Sequence, residues 1–127
     1  MDSIAPQSSR IVAVTGAGTG IGRATARAFA AEGAHVFAIG RREEPLEETA
    51  TGYGRITPLA ADITAEGEPR RIIQAVLETC GRLDVLVNNA GIVRSGALDA
   101  LTPDMIEAQL ATNLVAPVPV DGGAVVA

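Results

Sequence analysis

Apolar β-branched runs alternate with helical patterns along most of this chain, and that alternation limits the possible folds more than any other feature. Ile11 to Thr15 reads as a short buried strand that runs into a glycine cluster. The periodicity then predicts a helix from Ile21 to Glu32, with Ile21, Ala24, Ala28 and Phe29 on one face and Gly33 as its stop. His35 to Ile39 is the next expected strand, Glu43 to Thr51 a glutamate-rich helix, and Ile56 to Ala60 a third strand. From Pro69 to Cys80, the residues Ile72, Ile73, Val76, Leu77 and Cys80 recur at helical spacing, and Gly81 ends the run. Val85 to Asn88 is a fourth strand. The last helix takes Thr102 as its N-cap and Pro103 at its first position, and extends to about Leu114. There is no internal repeat. Buried strands joined by helices imply right-handed βαβ crossovers, so the expected fold class is α/β with a doubly wound parallel sheet covered on both faces.

Composition narrows the function classes. The 127 residues suffice for one domain, and 47% hydrophobic against 20% charged residues is a globular balance. With only Phe29, Phe37 and Tyr53 as aromatic residues, the core has to be aliphatic and alanine-rich. A net charge of −5 argues against nucleic acid or an anionic membrane as the main partner, because both select a basic surface. One cysteine, Cys80, and one histidine, His35, give neither an internal disulfide nor a structural zinc set, so no metal is expected. No run approaches the length of a membrane span, and Met1 to Arg10 lacks an apolar signal core, which makes the cytoplasm the expected location. All ten basic residues are arginines; the chain has no lysine.

The segment Thr15-Gly-Ala-Gly-Thr-Gly-Ile-Gly22 lies between the first strand and the first helix. In that position a glycine turn lets backbone N–H groups and the helix dipole approach a pyrophosphate. Its spacing is T-G-x-x-x-G-x-G, with Gly16, Gly20 and Gly22, and differs from G-x-G-x-x-G. The end of the second strand, where an acidic residue would bind the ribose 2′-hydroxyl of NAD, reads Gly40-Arg41-Arg42 instead. Two guanidiniums suit a 2′-phosphate, which favours NADP over NAD; the competing reading is a solvated pair that balances Glu43, Glu44, Glu47 and Glu48. Asp62 is either an acceptor for an adenine amino group or a turn former, and Asn88 and Asn89 are either site residues or strand-end turn formers.

Taken in order, Thr15-Gly-x-x-x-Gly-Ile-Gly22, Asp62, Asn88-Asn89-Ala90-Gly91 and Asn113 resemble the short-chain dehydrogenase/reductase family from about Ile11 to Asn113. The resemblance implies a Rossmann-type sheet, hydride transfer between alcohols or carbonyls and NAD or NADP, and assembly as homo-oligomers. It implies that Gly16, Gly20, Ile21 and Gly22 hold the pyrophosphate, Arg41 and Arg42 the adenosine 2′-phosphate, Asp62 and Ile63 the adenine, and Asn89, Ala90 and Gly91 the ribose. Asn113 matches the family's catalytic asparagine, which supports a proton-relay water.

The resemblance breaks at the proton. The family moves it with a Tyr-x-x-x-Lys pair and orients the carbonyl with a serine, and a phenol with a pKa of about 10 needs the neighbouring cation to act near neutrality. Without a lysine that pair cannot exist, and Tyr53, in a glycine turn, reads as structural. The tail from Val118 resembles the family's C-terminal strand and its Asp-Gly-Gly, yet begins five residues after Asn113. The sequence therefore reads as an internal deletion with a seam near Ala116 to Val118, the competing reading being a coincidental glycine-rich tail. The expected layout is a flexible lead-in over 1–10, an NADP-binding Rossmann half over 11–115, and a tail over 116–127. A sheet that stops after its fourth strand leaves that strand's edge to the tail or to a partner, either a second copy or a full-length relative. Three functions follow: a family oxidoreductase unable alone to complete the reaction, a non-catalytic nucleotide- or partner-binding module, or a truncated product without function.

Overall fold

The computed structural model describes residues 10–88, 91–95, 101–111 and 123–126. Its strands are β1 (Ile11–Thr15), β2 (His35–Gly40), β3 (Ile56–Ala60), β4 (Val85–Asn88), β5 (Gly91–Ser95) and β6 (Gly123–Val126), and its helices α1 (Gly20–Ala31), α2 (Glu43–Ala50), α3 (Glu68–Cys80) and α4 (Pro103–Ala111). They build one six-stranded sheet of order β3-β2-β1-β4-β5-β6. The first four strands are parallel, with Ile11 opposite His35, Val36 opposite Ile56 and Val12 opposite Val85. Two crossovers step outward from β1 to β3, and the next returns past β1 to β4. That reversal opens a crevice at the C-terminal ends of β1 and β4, where sheets of this kind bind ligands.

Strand alternation divides the core in two. Ile11 and Ala13 of β1, Phe37 and Ile39 of β2, and Leu86 of β4 meet Ile72, Ile73 and Val76 of α3 and Ile106 and Leu110 of α4. Val12, Val14, Val36, Ala38 and Val85 point the other way, onto Ala26 of α1 and Leu46 of α2. Bulky side chains fill the first layer and small ones the second, so α1 and α2 lie close to the sheet. The aliphatic core and the α3 face are as the sequence predicts, and Thr102 caps α4 by accepting the Met105 N–H at 3.2 Å.

The buried face of α1 is only partly the predicted one. Phe29 packs against the core as expected, but Ile21 is 86% exposed, Ala24 and Ala28 are exposed, and Ala26 is the buried residue. Gly22 sets this orientation, because a Cβ there would stand 2.0 Å from Gly16 O. The helix turns its bare backbone toward the turn, and Ala26, one helical turn on, follows it inward.

The expected open edge on β4 also needs correction. Gly91–Ser95 forms β5, antiparallel to β4 with Asn88 opposite Gly91, and it covers that edge. The tail strand β6 pairs antiparallel with β5, from Ile92 opposite Val126 to Ser95 opposite Gly123. The sequence gives β5 little signal, since its neighbours Asn89, Ala90 and Gly91 read as a loop. Among the described residues no helix is long and apolar enough to cross a membrane.

Two polar groups lock the ends of the parallel strands opposite the crevice. Buried Asp84 accepts the Ile11 N–H and the Arg82 Nε–H, each at 2.9 Å, and returns its own N–H to Ile11 O at 2.9 Å. His35 Nε2 lies 3.0 Å from Thr57 Oγ1, and its ring is 5.0 Å from Phe37. Burial, aided by the Arg55 charge, lowers the His35 pKa below its usual 6.5. The unfolded chain then accepts a proton that the folded chain resists, so this stabilisation is present above pH 6.5 and is lost as pH falls through that value. Urea midpoints are expected to drop between pH 7.5 and 5.5 in the parent chain and to drop less in His35→Gln; parallel drops would refute the assignment.

Candidate functional site

The crevice is built from the end of β1 outward. Thr15 Oγ1 lies 3.4 Å from both Val87 O and Asn88 Oδ1, which ties the tips of β1 and β4 together. Gly16 and Gly20 have φ of 64° and 59°, left-handed values that favour glycine. Between them, Ala17 N–H donates to Ile39 O at 3.0 Å, anchoring the turn to β2. Thr19 precedes α1 in extended conformation without a side-chain cap bond, and the first turn of α1 carries no acidic residue. The leading amides and the positive end of the helix dipole therefore lack a carboxylate of their own.

The opposite wall comes from β2 and α2. Arg41 follows Gly40 at the end of β2, and Arg42 is the N-cap residue of α2. Both line a cavity of about 340 Å³ together with Gly16, Gly18 and Thr19 of the turn, Gly40, and Pro45 and Leu46 of α2. Close approach needs bare backbone: a Cβ on Gly18 would lie 2.9 Å from Pro45 Cβ, and one on Gly40 3.1 Å from Leu46 Cδ2. Both arginines are exposed, and among the described residues neither forms an ion pair with the nearby glutamates. Glu48, one of their expected counter-charges, pairs with Arg23 at 3.2 Å instead.

Asp62 lies just beyond β3, where its Oδ1 accepts the Thr64 hydroxyl at 2.6 Å and the Thr64 N–H at 3.0 Å. These bonds, with Arg41's charge as a lesser cause, hold its carboxyl below the usual carboxylate range. Asp62 is thus a turn former and also an ionised neighbour of Arg41. Ile63 packs against the α3 and α4 core. Arg71 closes this corner, with Nη2 on Ala60 O at 2.9 Å and Nε on Glu68 Oε2 at 2.8 Å. The structure brings Gly16, Arg41 and Arg42 to one cavity; Gly20, Ile21 and Gly22 are not among its lining residues but begin α1 directly after Thr19, which is. Gly91 starts β5, whereas Asn89, Ala90 and Asn113 lie outside the described residues.

Tyr53 is placed elsewhere. It packs on the α1 and α2 side of the core, with the Arg27 guanidinium 5.3 Å from its ring centre. The sequence reading missed Arg23 and Thr49, which join α1, α2 and the glycine turn. The available signal was an arginine at the start of a helix, the end where a cation opposes the dipole.

With this geometry, a sequence match decides the family: the pattern described as short chain dehydrogenase fits residues 10–123. The chain belongs to the short-chain dehydrogenase family. Among curated members, it is 36% identical over 109 residues to the 3-oxoacyl-[acyl-carrier-protein] reductase FabG of Thermotoga maritima, an alignment covering 83% of this chain and 44% of that one. Among solved structures, the citronellol catabolism dehydrogenase AtuB of Pseudomonas aeruginosa superposes with a TM-score of 0.64 at 30% identity, over 88% of this chain and 54% of that one. The Pseudomonas aeruginosa RhlG/NADP active-site complex gives a TM-score of 0.59 at 41% identity, over 69% and 38% of the two chains. This member of the family spans less than half the length of the curated relatives it matches, from 28% to 46%.

Proposed function

We propose that this member of an oxidoreductase family binds NADP(H), and that as an isolated chain it does not complete hydride transfer to or from an alcohol or carbonyl. The observation that carries the binding half is the cavity shared by the glycine turn and the Arg41–Arg42 pair. Its donors fit a dinucleotide phosphate: uncapped amides at the start of α1 beside a glycine turn, and two guanidiniums that form no ion pair among the described residues. In this reading Gly16, Gly20, Ile21 and Gly22 hold the pyrophosphate and Arg41 and Arg42 the 2′-phosphate. Asp62 and Ile63 border the adenine, and Asn89, Ala90 and Gly91 the ribose. The solved relative complexed with NADP supports the choice of NADP over NAD.

When bound, the cofactor supplies hydride chemistry at an alcohol or carbonyl carbon. The chain's own residues must then hold and move the proton. Asn113 is assigned to support a proton-relay water, but no lysine exists to lower a phenol's pKa, and Tyr53 is engaged beneath Arg27. We attribute this gap to an internal deletion near Ala116 to Val118. The missing lysine also favours a second reading, a nucleotide-binding module that completes a full-length relative. Because β5 covers β4, such a partner would meet the sheet at β6.

The test is a fluorescence titration of the purified chain with NADPH and then NADH, with no tryptophan to interfere. Saturable binding that prefers NADPH, without turnover of added carbonyl compounds, is expected. No binding by a folded sample overturns the cofactor reading, and turnover overturns the catalytic part.

A further inference from the structure

We infer that Arg23 is a positioning residue for the cofactor cavity: it pins α2 to the glycine turn and so sets where Arg41 and Arg42 stand. The inference rests on the NADP reading for its purpose and on geometry for its content. Arg23 occupies the first turn of α1, where a cation opposes the helix dipole, so its contacts have to offset that cost. The two N–H groups of its Nη2 are shared among Gly18 O at 2.5 Å, Pro45 O at 3.1 Å and Glu48 Oε1 at 3.2 Å, and its Nε donates to Thr49 Oγ1 at 2.9 Å. The fully buried Thr49 passes the link onward, donating from Oγ1 to Ala17 O at 2.7 Å. One guanidinium thus holds the turn at Gly18 and, through Thr49, at Ala17, while gripping α2 along one helical turn.

Both clamped surfaces are walls of the cavity. Gly18 and Pro45 line it and face each other so closely that a Cβ on Gly18 would collide with Pro45. Arg41 and Arg42 lie on the short stretch between β2 and α2, so a shift of α2 moves them relative to the turn. Arg27, one turn later on α1, provides an internal contrast. It donates to Thr49 O at 3.1 Å and Glu48 O at 2.8 Å, carbonyls of the last turn of α2, and leans on Tyr53. These contacts close the C-terminal end of α2 and leave the glycine turn untouched.

Arg23→Met, Thr49→Val and Arg27→Met should be compared in the full chain by NADPH and NADH affinity, thermal midpoint, and ligand-free hydrogen exchange over residues 15–22. Arg23→Met and Thr49→Val are expected to weaken NADPH binding by roughly tenfold, the effect of displacing one of the two arginines from its charge-assisted bond to the phosphate. They should also narrow the preference over NADH and speed exchange in the turn. Arg27→Met is expected to lower the thermal midpoint while leaving cofactor preference and turn exchange at parent values. If Arg23→Met behaves like Arg27→Met in preference and exchange, the pin is overturned; should Arg23→Met not fold, Thr49→Val decides by the same criteria. A parent chain that binds neither nucleotide would refute the cofactor reading separately, and exchange alone would then judge the pin: faster in Arg23→Met than in Arg27→Met upholds it, equal rates overturn it.

Discussion

Gly22→Ala is expected to lower the free energy of unfolding by about 3 kcal/mol, at the upper end for overpacking, and to remove nucleotide binding with it. The added Cβ would lie 2.0 Å from Gly16 O, 2.7 Å from Gly16 C and 3.1 Å from Ala17 Cα, all backbone atoms. They have little room to retreat, because Ala17 is bonded through its N–H to Ile39 O and through its carbonyl to the Thr49 hydroxyl. Relief would require α1 to lift from the sheet and take Ala26 out of the core. Gly20→Ala is the control. Its φ of 59° costs an L-residue about 1–2 kcal/mol, yet a Cβ there meets no protein atom within 4 Å. Its larger effect should fall on affinity if, as proposed, the backbone at Gly20 holds the pyrophosphate. Urea unfolding and NADPH titration of both variants separate the roles, and a Gly22→Ala chain as stable as the parent would overturn the packing argument.

What the sequence disclosed and what it hid follow from the range of the forces involved. The parallel strands β1 to β4, the buried face of α3 and the Thr102 cap were legible because each depends on local periodicity or on one short-range bond. The face of α1 was only partly legible: its apolar letters point to Ile21, whereas the deciding term is a contact between the backbones of Gly22 and Gly16, which hydrophobic periodicity does not encode. Strand β5 escaped because its partner is fixed by the hairpin with β4 rather than by its own composition. In the candidate site, the glycine turn at Gly16 and the Arg41–Arg42 pair could be read from spacing along the chain. Arg23 and Thr49 could not, since their link spans 26 positions and exists only once α2 has folded back on α1. Of the glutamates that the competing reading set against Arg41 and Arg42, Glu48 is taken by Arg23 from another helix, a pairing that charge counting along the chain does not reveal.

Replacing Arg41 and Arg42 together with alanine is expected to erase the preference for NADPH, reducing its affinity on the order of 100-fold while NADH binding changes little. Each guanidinium offers charge-assisted donors to a 2′-phosphate, and each such bond contributes about 1.5–3 kcal/mol when fully formed. Both side chains are exposed, so solvent screening holds each contribution near the lower limit, about tenfold apiece. Selectivity should then depend on salt: raising ionic strength ought to narrow the NADPH to NADH ratio in the parent chain and leave it flat in the double variant. The two arginines are not equivalent. Arg41 already lies in the field of the Asp62 carboxylate, so a phosphate there must compete for it, whereas Arg42 stands at the N-cap of α2. Arg42→Ala is accordingly expected to cost more affinity than Arg41→Ala, and Asp62→Asn to strengthen the pull of Arg41 on the phosphate. Titrations of the single and double variants at low and high salt test this reading. Equal losses for NADPH and NADH would mean that the pair serves only the fold or the pyrophosphate, and the assignment of the 2′-phosphate to these arginines would fall.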